Sequence, residues 1–130
     1  MSKPRGRPSA LLVDDNPQVL QSLALLLEVM GWDTAKINRS EQALALLQER
    51  DFELAIVDLK MPHVNGIELC RQIHSQTKKK APMVFILSGY VDQKSHADAL
   101  DSGARAILHK PIGLDEMKDL FKTNGLPCAI

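Results

Sequence analysis

The chain has 130 residues, enough for one domain with a sizeable core and too few for two. Its 16 Lys and Arg side chains balance 16 Asp and Glu, so net charge gives no case for a nucleic-acid or anionic-membrane partner. No apolar run approaches the roughly 18 residues of a membrane helix. The start from Met1 to Ser9 is polar and basic, without the apolar stretch of a secretory signal. Cys70 and Cys128 are far apart and form no Cys-x-x-Cys pair, so they read as free thiols in a reducing compartment, by default the cytoplasm.

Residues 1–8 hold Lys3, Arg5 and Arg7 among prolines and a glycine, and read as a flexible basic arm. Ala10-Leu11-Leu12-Val13 is a strand that runs into Asp14-Asp15. Asn16 caps the next helix, with Pro17 at its first position, and Gly31 ends it. Leu20, Leu23, Leu27 and Met30 share one face of that helix. Thr34 to Ile37 is a mixed strand suited to a sheet edge. Ser40 is expected to cap a second helix reaching about Arg50, with Ala43, Leu44 and Leu47 inward. Leu54-Ala55-Ile56-Val57 is a continuous apolar run, as in a strand buried on both faces, and it ends in Asp58. A third helix spans Gly66 to Gln76 and buries Ile67, Cys70 and Ile73. Lys78-Lys79-Lys80 reads as a solvated loop. Met83 to Leu87 is the fourth strand, ending at Ser88-Gly89. Asp92 is the expected cap of a fourth helix that Gly103 ends. Ala106-Ile107-Leu108 is the fifth strand, followed by His109-Lys110-Pro111. A last helix runs from Leu114 to about Lys122, and Asn124-Gly125 stops it. The domain is thus expected over 9–124, with a short tail at 125–130.

Regular alternation of strand and helix argues an α/β fold: a parallel sheet with helices on both faces. All strand ends then lie on one edge. Asp14, Asp15, Asp58, Ser88 and Lys110 converge there. Nearby carboxylates repel one another, and a divalent cation relieves that. An oxygen-only set with room for water and phosphate suits Mg²⁺, which also shields an incoming phosphoryl group. A carboxylate can act as nucleophile and form an aspartyl phosphate. Lys110 can pair with one phosphoryl oxygen, and the Ser88 hydroxyl can donate to another. His63, His74, His96 and His109 are scattered over different elements and make no metal site. His109 is expected to face away from the cleft, since strand neighbours alternate.

On these residues the chain resembles the receiver domain of two-component response regulators over nearly its whole length. The resemblance rests on Val13-Asp14-Asp15-Asn16, Asp58-Leu59-Lys60-Met61-Pro62, Asn65-Gly66, Leu87-Ser88-Gly89, Gly103-Ala104 and Lys110-Pro111. It implies a flavodoxin-like (βα)5 fold with strand order 2-1-3-4-5, an order that general accounts of α/β folds illustrate with a receiver. It implies that Asp58 takes a phosphoryl group from a sensor histidine kinase or phosphotransfer protein. Asp15, Asp58 and the Lys60 carbonyl would hold Mg²⁺ directly, and Asp14 would act mainly through a bound water. Ser88 and Lys110 would contact the phosphoryl group, and Lys110-Pro111 would be cis. The kinase would dock near Gln18, Gln21 and Ser22, beside Pro111-Ile112. A homodimer through helix four, strand five and helix five is a further expectation, as is promotion of its own phosphorylation rather than conventional enzymatic turnover. Two features bear on signalling. Ile107 stands where the family usually has Tyr or Phe, which touches the switch formed with Ser88. Lys60 and Tyr90 occupy positions that often set phosphoryl lifetime.

Other classes fit less well. A flavodoxin-like mononucleotide binder needs a Ser/Thr/Gly-rich phosphate loop where Asp14-Asp15 stand. A haloacid-dehalogenase-type phosphatase needs Asp-x-Asp after strand one, which Asp14-Asp15-Asn16 does not match. A degenerate receiver that only binds protein would have little use for the full acidic set with Lys110.

Overall fold

The computed structural model describes residues 7–61, 65–76, 81–89 and 93–130. The elements run β1 (Ser9–Val13), α1 (Pro17–Val29), β2 (Asp33–Ile37), α2 (Ser40–Glu49), β3 (Leu54–Asp58), α3 (Gly66–Gln76), β4 (Met83–Ser88), α4 (Gln93–Asp101), β5 (Ala106–His109) and α5 (Leu114–Thr123). The strands form one parallel sheet of order β2-β1-β3-β4-β5, as expected.

Strand alternation builds two cores. Ala10, Leu12, Leu54, Ile56, Phe85, Leu87 and Leu108 pack with α1 and α5 residues such as Leu20, Leu27, Met117 and Phe121. Leu11, Val13, Ala55, Val57, Val84 and Ile86 pack with Ala43, Leu47, Leu69, Cys70, Ile73 and Ala99 of α2, α3 and α4. β1 and β3 are buried along their whole length, which explains their unbroken apolar runs. β2, at the edge, is only partly buried.

Local signals set most boundaries. The Asn16 side chain accepts from Gln18 N and Val19 N, which caps α1 as expected. Ser40 does not cap α2. It is the first helical residue, Arg39 holds the cap position, and no side chain caps there. Ser40 is instead buried, so packing overrides the local preference. On α3 the inward residues are Leu69, Cys70 and Ile73, whereas Ile67 is half-buried. The loop Lys78 to Lys80, the expected cap Asp92, and Tyr90 lie outside the described residues, as do residues 1–6 of the basic arm. Arg7 and Pro8, the rest of that stretch, are tied to the start of β2. Arg7 Nε donates to Asp33 Oδ1 at 2.9 Å, and Pro8 O accepts from Asp33 N at 2.9 Å. Among the described residues no helix is long and apolar enough to cross a membrane.

An aromatic group anchors α5. Phe121 meets Trp32 edge-on at 5.2 Å between ring centroids and Phe85 at 6.3 Å. All three rings are buried. Phe121→Ala should therefore destabilise the domain by about 3–5 kcal/mol. Urea unfolding of the variant checks this, and a loss well under 1 kcal/mol would show that α5 is not anchored by this ring.

Candidate functional site

Register places the site. Val13 pairs with Val57, so the residues that follow, Asp14 and Asp58, stand level at the carboxyl edge of adjacent strands. Asp14 continues the parity of Ala10 and Leu12, and Asp58 that of Leu54 and Ile56. Lys110 likewise follows Ala106 and Leu108. Period-two alternation thus aims both carboxylates and the ammonium to the α1/α5 side. Ser88 shares the other parity, that of Val84 and Ile86. His109 pairs with Ser88 at the sheet edge and is exposed, away from the acids as expected.

The distances bring Asp14, Asp15, Asp58 and Lys110 together. Lys110 Nζ lies 2.9 Å from Asp58 Oδ1 and 3.2 Å from Asp14 Oδ2. Asp14, Asp15 and Asp58 each offer a carboxylate oxygen, all within 4.8 Å of one another. Asp14 and Asp58 are buried, and Asp15 is exposed. Asp14 Oδ1 accepts from Asn16 N at 2.9 Å, which fixes its carboxylate from the same turn that caps α1. Asp14 Oδ2 is buried without a well-aligned hydrogen bond, although Lys110 stands beside it. Lys110 N donates to Ser88 O at 2.7 Å, which ties the lysine's backbone to the end of β4. The Lys110-Pro111 bond is cis. Ser88 is buried at the end of β4. Lys60 is exposed two residues beyond Asp58, and Ile107 is half-buried on the α4 side.

Gly66 has a role that sequence reasoning did not assign. A Cβ there would collide with the Asp58 carbonyl oxygen and stand 3.0 Å from Leu59 Cα. Gly66 N donates to Leu59 O at 2.7 Å, while Leu59 N donates to Leu87 O at 2.9 Å. Asn65 Oδ1 accepts from Glu68 N at 2.8 Å and starts α3. The backbone bearing Asp58 is thus pressed between β4 and the α3 start. The Asn65-Gly66 pair was the available signal, but only the three-dimensional approach shows why glycine is needed.

Electrostatics follow from this packing. Burial pushes the Asp58 carboxyl up from its ordinary value, and the charges of Asp14 and Asp15 add to that; Lys110 opposes it. For Lys110, burial alone would lower the pKa, but pairing with Asp58 and Asp14 outweighs it and raises the net value. Three carboxylates against one ammonium leave a negative excess that a cation would offset. An all-oxygen donor set with one under-coordinated buried oxygen fits a hard divalent ion such as Mg²⁺.

A five-stranded parallel sheet with an acidic pocket and a lysine at its carboxyl edge defines a class of signalling domain. The chain belongs to the response regulator receiver domain family of two-component systems, whose profile matches residues 10–122. It is 30% identical over 118 residues to the response regulator protein PilR of Pseudomonas aeruginosa, covering 91% of this chain and 26% of PilR. It is 33% identical over 111 residues to the DNA-binding response regulator MtrA of Mycolicibacterium smegmatis, covering 85% of this chain and 47% of MtrA. The chain therefore spans less than half the length of these relatives. A CheY-like receiver domain from Methanospirillum hungatei superposes with a TM-score of 0.82 at 25% identity, covering 92% of this chain and 94% of that one. A Burkholderia pseudomallei response regulator, solved with a phosphorylated aspartic acid, calcium ion and citrate, superposes with a TM-score of 0.80 at 26% identity, over 90% of this chain and 68% of that one.

A folded-state pKa above the unfolded value of 3.8 makes the native state hold the Asp58 proton longer. Stability then falls as pH rises from that value through the raised one. Asp58→Asn cannot ionise and escapes this loss. In metal-free buffer its stability relative to wild type should rise across the same window. Urea unfolding at a series of pH values measures this; a constant or shrinking difference would contradict it.

Proposed function

We propose that Asp58 is the phosphoacceptor and that a sensor histidine kinase or phosphotransfer protein is the donor. The observation that carries this is Asp58 itself, a buried carboxylate at a strand end, 2.9 Å from Lys110 and grouped with Asp14 and Asp15. An Asp58 oxygen attacks phosphorus, the P–N bond of the donor phosphohistidine breaks, and the imidazole nitrogen keeps the electron pair. Lys110 stands close enough to Asp58 to pair with a phosphoryl oxygen carried there, by a charge-assisted hydrogen bond. The Ser88 hydroxyl is assigned to a second oxygen. Asp15, Asp58 and the Lys60 carbonyl are assigned to Mg²⁺, with Asp14 acting through a water. Bound Mg²⁺ would shield the negative charge of the incoming group.

The donor is assigned to the surface of α1 and the Lys110–Ile112 turn. A hollow of about 220 Å³ lies there, lined by Gln18, Val19, Ser22, Leu26 and Ile112 and reaching Lys110. Output is assigned to the α4-β5-α5 face, through a partner or a second copy, where Ile107, His96, Leu100 and Glu116 line a shallow depression. With Ile107 in place of an aromatic ring, that output rests mainly on the segment after Ser88. The domain is read as 9–124, flanked by the basic 1–8 stretch, whose Arg7 and Pro8 bond to the start of β2, and by the 125–130 tail. It promotes its own phosphorylation and dephosphorylation rather than turning over a separate substrate. Free Cys70 and Cys128 support the cytoplasm as its location.

Acetyl phosphate with Mg²⁺ should add one acid-stable, base-labile phosphoryl group to the wild type and none to Asp58→Asn. Intact-mass spectra showing equal uptake by both would refute the assignment.

A further inference from the structure

The end of the chain folds back on the domain at the sheet edge opposite the acids. Gly125, at φ +72, reverses the chain after α5. Leu126 N then donates to Phe121 O at 2.8 Å. The Trp32 indole Nε1 donates to Pro127 O at 2.8 Å, and Ala129 N donates to Met30 O at 2.8 Å. Ala129 sits against Gly31, where a Cβ would come 2.8 Å from the Ala129 methyl. Leu126 and Cys128 pack on the α1/α5 core.

Two halves of this contact differ sharply. Beneath it, Trp32 and Met30 are 0% and 1% exposed. Above it, no residue from Gly125 to Ile130 is fully buried, none lies in a helix or strand, and Ile130 is 53% exposed. A segment with few buried contacts and no ladder of its own opens at lower free energy than the core it covers. We infer that residues 126–130 are a releasable clasp, which seals Trp32, ties the end of α5 to the α1–β2 corner, and opens as one unit while the rest of the domain stays folded. α5 is then held at both ends: at its start by the turn that carries Lys110, and at its finish by the clasp. Release frees only the finish. The acid site lies at the other edge of the sheet and keeps its geometry.

Native-state hydrogen exchange of the whole chain, followed by NMR, tests this directly. The Trp32 indole N–H and the Ala129 amide should show one shared protection factor, at least about a hundredfold below that of Ile56 and Val57 in β3. Protection equal to that of β3 would overturn the clasp as a separate unit. Unequal protection of the two groups would overturn its opening as one. A chain ending at Asn124 gives a second readout. It should keep the native far-UV spectrum and a cooperative transition, while Trp32 emission shifts to the red and acrylamide quenches it several-fold more. Loss of cooperative unfolding, or unchanged Trp32 emission and quenching, would overturn the inference.

Discussion

Two carboxylates that are almost fully buried must find positive charge, and Lys110 supplies it to both Asp14 and Asp58. That double ion pair constrains everything near it. It requires β1 and β3 to end level, which the pairing of Val13 with Val57 achieves. It requires β5 to deliver the lysine from the far side of β4, which the backbone bond from Lys110 to Ser88 secures. Removing the lysine would leave two buried carboxylates without their cation, a far larger cost than the loss of an exposed ion pair. The exposed pairs Arg71–Glu68 and Lys94–Asp98 are by comparison local supports of α3 and α4.

The site remains electrically incomplete. One ammonium does not neutralise three acids, and Asp14 Oδ2 keeps an unaligned lone pair within the cluster. This deficit is what a divalent cation would offset under the proposed function. Burial is the largest cause of the raised Asp58 carboxyl, and the charges of Asp14 and Asp15 add to it. The same burial that makes the carboxylate costly leaves it poorly hydrated.

Much of this was legible in the sequence because the signals are strong and local. Unbroken apolar runs marked β1 and β3, and their terminal acids marked the site. Asn16-Pro17 and Gly31 bounded α1 to within a residue or two. The expected strand order and the convergence of Asp14, Asp58 and Lys110 stand in the structure. What was not legible depends on packing between distant segments. Ser40 looks like a cap, but burial draws it into the helix. Gly66 shows its purpose only when the α3 start meets the Asp58 backbone. Residues 125–130 read only as a short tail, because nothing local reveals that Trp32 will hold Pro127. Arg7 similarly finds Asp33 across 26 residues of sequence.

Under the proposed function, Asp14, Asp15 and Asp58 form one cation site that Lys110 only partly satisfies. Calorimetric titration of Mg²⁺ into the wild type and Asp15→Ala tests it most directly. The account predicts one ion per chain for the wild type and strongly weakened binding for Asp15→Ala, with both proteins folded. Equal Mg²⁺ affinity for the two would contradict it.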